Sequence, residues 1–138
     1  MPLPHLLLAV LIVFATATQV PSAGEKERRT PAQQKINSQL LYEIYRLRGE
    51  ADRNAVPPGP TGVKIDARGR ALVDIRADPA PALQKRIRRG GGVVLSTSAR
   101  GRSIIARVPL LQLETLAADP AVRFIEPAAE AITGRNLP

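Results

Sequence analysis

Hydrophobic and polar positions change period along this chain, from an unbroken apolar run, to helical spacing, to short two-residue alternations. Residues 6–14 are continuously apolar and lead into the small residues Ala15, Thr16 and Ala17. A run that short falls below the length of a membrane-spanning helix and fits the core of an export signal over residues 1–23. Three cleavage patterns are open: Ala15 with Ala17, Val20 with Ser22, or Ala23 before Gly24. The leading end carries Pro2 and Pro4 but no Lys or Arg, so an uncleaved anchor is the alternative.

The next pattern is helical. Thr30, Pro31 and Gln33 form a helix-start signature, with a capping hydroxyl, proline in the first turn and a glutamine reaching back. Ile36, Leu40, Leu41, Ile44 and Leu47 then recur at helical spacing, with Tyr42 and Tyr45 alongside and Gly49 as terminator. The spacing predicts one amphipathic helix over 30–49, its apolar stripe turned to its own core rather than to a partner. Pro57, Pro58, Gly59, Pro60 and Gly62 make 50–69 a linker.

From Arg70 the period shortens to that of strands. Ala71, Val73 and Ile75 alternate with Leu72, Asp74 and Arg76. Asp78 is expected to cap a helix with Pro79 and Pro81 in its first turn and Leu83 and Ile87 inward, ended by Gly90, Gly91 and Gly92. Residues 93–97 and 103–108 read as strands joined by a tight hairpin at Gly101. Pro109 opens a second helix with Leu110, Leu113 and Leu116 inward, stopped at Asp119 and Pro120, and residues 122–125 form the last strand. This order is the ferredoxin-like βαββαβ sandwich over 70–127, an α+β fold in which a four-stranded antiparallel sheet has both helices on one face. Parity assigns Ala71, Val73, Ile75, Val93, Leu95, Ile104, Ala106, Val108, Val122 and Phe124 to the helix side. It leaves Leu72, Val94, Ile105 and Ile125 on the bare side.

Composition narrows the chemistry. Among 138 residues, 20 Lys and Arg stand against 12 acidic residues, a formal charge of +8, and there is no Cys. Disulfides and thiolate metal sites are therefore excluded. The one His is His5, inside the expected leader, so residues 24–138 lack the commonest general base and metal ligand. Ser96, Ser98 and Ser103 have no His to activate them, and no pair of carboxylates marks a hydrolytic cleft. The expectation is a protein without catalysis or cofactor.

Against this background the run from Lys35 and Ile36 to Leu40 and Leu41, the segment 60–63, and above all residues 119–126 resemble the N-terminal pro-region of bacterial subtilisin-like serine proteases. The resemblance spans roughly residues 35–131. It implies a secreted or periplasmic domain that helps a subtilase fold and inhibits it, in cis or in trans, until it is cut away. The bare sheet face, here Leu72, Val94, Ile105 and Ile125, would lie on surface helices of the protease. Glu126 would cap a helix start, where free amides and partial positive charge await a carboxylate. The tail 128–138 would enter the substrate cleft through Ala128, Ala129, Glu130, Ala131, Ile132, Thr133 and Gly134. Pro127 and Ala128 stand where the family often has further acidic residues, which weakens the cap or moves it to Glu130.

No Asp, His and Ser triad appears before Pro138, so the expectation is either a truncated precursor or a free-standing inhibitor. Two other readings compete. A nucleic-acid module is motivated by the net charge and by Lys85, Arg86, Arg88, Arg89, Arg100 and Arg102, but sheet-face RNA readers need stacking aromatics, and the one strand aromatic, Phe124, is expected inward. An assembly module would pair the amphipathic helix or the bare face with another copy.

Overall fold

The computed structural model describes residues 24–129. The expected leader, 1–23, and Glu130, Ala131, Ile132, Thr133 and Gly134 of the expected tail lie outside them. Two helices, α1 (Pro31–Gln34) and α2 (Ser38–Leu47), precede a module of β1 (Arg70–Arg76), α3 (Pro81–Arg89), β2 (Val93–Ser98), β3 (Ser103–Pro109), α4 (Leu113–Ala117) and β4 (Phe124–Pro127). A 3-10 turn, Leu110–Gln112, leads into α4. The strands form one four-stranded sheet in the order β2-β3-β1-β4 with every pairing antiparallel. That is the order of a ferredoxin-like α+β sandwich.

The strict alternation of β3 explains the layering. Ile104, Ala106 and Val108 are buried while Ser103, Ile105 and Arg107 are half-buried, and β1 repeats the pattern through Ala71, Val73 and Ile75, which pair with Val108, Ala106 and Ile104. On that one face these residues share a core with Leu83 and Ile87 of α3, Leu113, Leu116 and Ala117 of α4, and Leu40, Leu41 and Ile44 of α2. The N-terminal stripe therefore completes the core of the sandwich instead of standing apart from it. Leu47, the last residue of the expected stripe, is 59 % exposed.

The helix expected without interruption over 30–49 is two helices. Thr30 Oγ1 accepts from Gln33 N at 3.2 Å, as its capping box requires, but the chain leaves the helix at Lys35. Ile125 N donates to Lys35 O at 2.8 Å and Asn37 N donates to Ile125 O at 2.9 Å, so this short stretch lies along β4 before Asn37 Oδ1 caps α2 by accepting from Gln39 N at 2.9 Å. The strand-like pairing wins because it buries Ile36 and satisfies both polar groups of Ile125.

Three further expectations are corrected. The cap of α3 is Ala80, not Asp78, whose carboxylate is taken by Arg102 Nε at 2.7 Å across the hairpin. The last strand begins at Phe124, two residues later than its alternation indicated: the turn at Pro120 and Ala121 leaves Val122 bonded back to Asp119 O at 3.0 Å. Register then inverts its faces: Ile125 pairs with Ile75 and is fully buried among the helices, whereas Phe124 pairs with Arg76 on the other side. In β2 a bulge between Val94 and Ser96 changes parity. Val94, opposite Ala106, packs on the core, while Val93 and Leu95 are 42 % and 50 % exposed.

The Pro/Gly stretch is held by α2. Arg46 Nη2 donates to Pro57 O at 2.9 Å and to Gly59 O at 2.6 Å, Thr61 Oγ1 donates to Glu43 Oε1 at 2.6 Å, and Gly62 N donates to Gln39 Oε1 at 3.1 Å. Proline-rich backbone has few amides to offer a sheet, so side chains of the neighbouring helix take up its carbonyls instead.

Candidate functional site: the open face of the sheet

Strand alternation places a second set of side chains on the face turned away from the helices. From β4 to β2 the rows read Phe124, Arg76, Ser103 and Ser98; then Glu126, Asp74, Ile105 and Ser96; then Leu72, Arg107 and Val93. None of them joins the core cluster. Within the described residues no helix covers this face.

Its centre is an ion cluster. Arg76 Nη2 lies 2.7 Å from Glu126 Oε1 and 3.1 Å from Asp74 Oδ2, Arg76 Nε donates to the same Glu126 oxygen at 3.0 Å, and Ser103 Oγ donates to Asp74 Oδ1 at 2.6 Å. The Glu126 hydrogen bond, then the Asp74 charge, hold the Arg76 guanidinium above its ordinary, already high, value. Two carboxylates share one guanidinium, so the cluster carries 1 − 2 = −1 on a chain whose formal charge is +8. Apolar side chains adjoin it: Ile105 across from Asp74, Phe124 beside Arg76, and, in the next row, the exposed Val93 and the covered Leu72.

The residues expected on this face are thus only partly brought together. Leu72, Ile105 and Glu126 lie on it; Val94 and Ile125 lie on the helix side, for the reasons of register given above. Leu72 is 4 % exposed although it is outside the core cluster. Its amide donates to Lys64 O at 3.0 Å and its carbonyl accepts from Ala128 N at 3.1 Å, so two segments close around it. That second bond fixes where the chain leaves the sheet: Ala128 is tied to β1 and Ala129 is exposed.

Asp74, Arg76 and Arg107 belong to the face but were not among the residues singled out from sequence, and Val93 and Phe124, which also lie on it, were expected on the helix side. For Asp74 and Arg76 the signal existed, since strict alternation in β1 puts them beside Leu72; they look like ordinary solvated charges until Glu126 is brought next to them. Nothing in a local window marks Phe124 or Val93.

Among the described residues no group of His, Cys, Asp or Glu is arranged to hold a metal ion, no buried side-chain polar atom lacks a partner, and no helix is long and apolar enough to cross a membrane. Neither a protein-family model nor any curated protein or solved structure matches the chain.

Proposed function

We propose that this chain is an inhibitory, pro-region-like module for a subtilisin-type serine protease, acting by docking the open sheet face on helices of the enzyme and presenting the segment after Ala128 to the substrate cleft. The observation that carries the reading is the pairing of Asp74 and Glu126 around Arg76 on an uncovered sheet face. A helix start offers unpaired amides and partial positive charge; an excess carboxylate in the Arg76 cluster, flanked by Ile105 and Phe124, offers the complementary charge with apolar surface beside it. The resemblance of residues 119–126 to such pro-regions supports the same assignment, with Phe124 and Val93 taking the contact roles that Ile125 and Val94 cannot fill from the helix side.

The test is inhibition of a purified secreted subtilisin by the full chain. Slow-onset inhibition that competes with a peptide substrate is expected, with loss of inhibition when residues 128–138 are removed. Asp74→Asn with Glu126→Gln should weaken it by about tenfold, the scale of a lost helix cap. A panel of subtilisins left fully active by excess chain overturns the proposal.

Phe124 on the open face removes one objection to nucleic-acid binding. The carboxylates beside it restore the objection, because they repel a phosphate backbone where the only stacking ring of the strands is placed. Retention of single-stranded RNA on the full chain at low salt, abolished by Phe124→Ala, would favour that function instead.

A further inference from the structure

The two edges of the sheet are treated differently by the rest of the chain. On the β4 side, residues 35–37 pair along Ile125 and Ile65 bridges to Ala71, so that edge is closed. On the other side β2 pairs only with β3, and among the described residues nothing lies along its outer edge. Such an edge offers a row of unpaired amides and carbonyls, and proteins usually blunt it with charges or proline. Val93–Ser98 contains neither. Its one protective device is the bulge at Leu95, and that leaves Val93 and Leu95 as exposed apolar side chains.

The surroundings of this edge are cationic. Arg86 turns toward the end of α4, where its Nη1 lies 2.6 Å from Asp119 Oδ2. Arg88, two residues on and therefore slightly more than a half-turn around the helix, is exposed on the flank opposite Arg86, on a helix that contacts β2. Its one polar contact is with Gln84 Oε1 at 3.5 Å. Arg100, at the hairpin end of β2, has no carboxylate partner among the described residues, and Arg107 lies beside Val93 on the open face, likewise without one. A second copy pairing antiparallel about a two-fold axis would bring the Arg88 end of one strand against the Arg100 end of the other, cation against cation. An extended segment carrying carboxylates meets no such penalty.

We propose that the free edge of β2 binds an extended acidic peptide segment by strand addition, with Val93 and Leu95 against its apolar side chains and Arg88 and Arg100 against its carboxylates. The backbone supplies the hydrogen bonds and the flanking cations select the charge of the partner. The edge adjoins the open face and shares Val93 with it, but the proposal rests on the backbone of the edge and on Arg88 and Arg100, not on the function assigned to that face.

The probe is a synthetic peptide of alternating valine and glutamate, titrated into the full-length chain, with a valine–lysine peptide as counterpart. Amide NMR shifts are expected to saturate and to concentrate on residues 93–98 with their immediate flanks, for the glutamate peptide alone. Arg88→Glu with Arg100→Glu should weaken binding at least about fivefold, since two attractive surface contacts become repulsive. Arg68→Glu, an exposed cation elsewhere, should leave it unchanged. Shifts spread over the whole basic surface, equal loss with Arg68→Glu, or unchanged binding by the double reversal overturns the assignment. So does a light-scattering mass of two chains with residues 93–98 protected from exchange in the absence of peptide, which would give the edge to a second copy.

Discussion

The inverted faces of β4 can be tested by comparing two adjacent truncations, Ile125→Ala and Phe124→Ala. Ile125 is fully buried, pairs with Ile75 and lies in the shared core. Removing most of its side chain forfeits about 0.8 kcal/mol for each buried carbon lost, and a cavity at a site held by strand pairing on both sides collapses poorly. The expected cost is ~3–4 kcal/mol, inside the range for large-to-small changes in tight cores. Phe124 is half-buried on the open face. Its truncation removes a larger group from a place where water already reaches it, at a cost of about 1 kcal/mol or less.

Urea unfolding followed by far-ultraviolet circular dichroism separates the two. With a slope of roughly 1.5 kcal/mol/M for a domain of this size, Ile125→Ala should lower the midpoint by about 2 M and Phe124→Ala by well under 1 M. The slope should stay unchanged in both. A larger loss for Phe124→Ala than for Ile125→Ala would mean that the ring, not the isoleucine, faces the helices, and the register Ile75 to Ile125 would be refuted together with the open-face rows built on it.

Two further outcomes follow from the packing. A Cβ added at Gly92 would stand 2.7 Å from Ile87 Cγ2, 2.9 Å from Ile87 O and 3.1 Å from Arg107 O; since two of these are backbone atoms, Gly92→Ala should destabilise the fold by roughly 2 kcal/mol or more, read as a lowered thermal midpoint, and an unchanged midpoint would deny the close approach of α3 to the hairpin. Glu114 links the N-terminal helices to α4: Arg48 Nη2 lies 3.0 Å from its Oε2 and Gln33 Nε2 donates to its Oε1 at 2.9 Å. Burial pushes the Glu114 carboxyl up, but the Arg48 and Gln33 hydrogen bonds outweigh it and hold the group below its ordinary value. A carboxylate lowered on folding adds stability above its unfolded pKa, and that contribution is lost as pH falls through the folded one. Unfolding midpoints should therefore fall below about pH 4.5, with a smaller fall in Glu114→Gln; an equal fall in the variant removes Glu114 from the account.

Much of the sandwich was legible because burial alternates along β3 and, apart from Leu72, along β1, and the helices of the sandwich have punctuated ends. Those are local signals. The readings that failed did so where a local pattern admitted two answers and a distant segment chose between them. Val93, Val94 and Leu95 are all apolar, so no alternation fixes their faces; pairing with Arg107 and Ala106 does. Residues 122–125 alternate acceptably in either phase, and the choice falls to Ile75 on one side and to Lys35 and Asn37 on the other. The break between α1 and α2 is different, because Asn37 followed by Ser38 is a capping signal in its own right. The longer apolar periodicity from Ile36 to Leu47 hid it. The ion cluster of the open face was least legible of all, since Arg76 and Glu126 are 50 positions apart and only the crossover of the last strand makes them neighbours.

The same long-range pairings decide what the N-terminal helices are for. β4 is the last element of the sandwich and only four residues long, which by itself is a weak edge. It is stable because Phe124 and Glu126 pair inward to β1 while Ile125, with both its backbone groups turned outward, is answered by Lys35 and Asn37. α2 then lays Leu40, Leu41 and Ile44 over the same corner of the core. Residues 31–47 therefore act as the outer wall of β4, and β4 in turn fixes Glu126 beside Arg76 and the exit at Ala128. Any partner that uses the open face depends on a helix pair that contributes no side chain to it. Mutations that loosen Ile36 should accordingly reach that face through β4, with no change in the side chains displayed there.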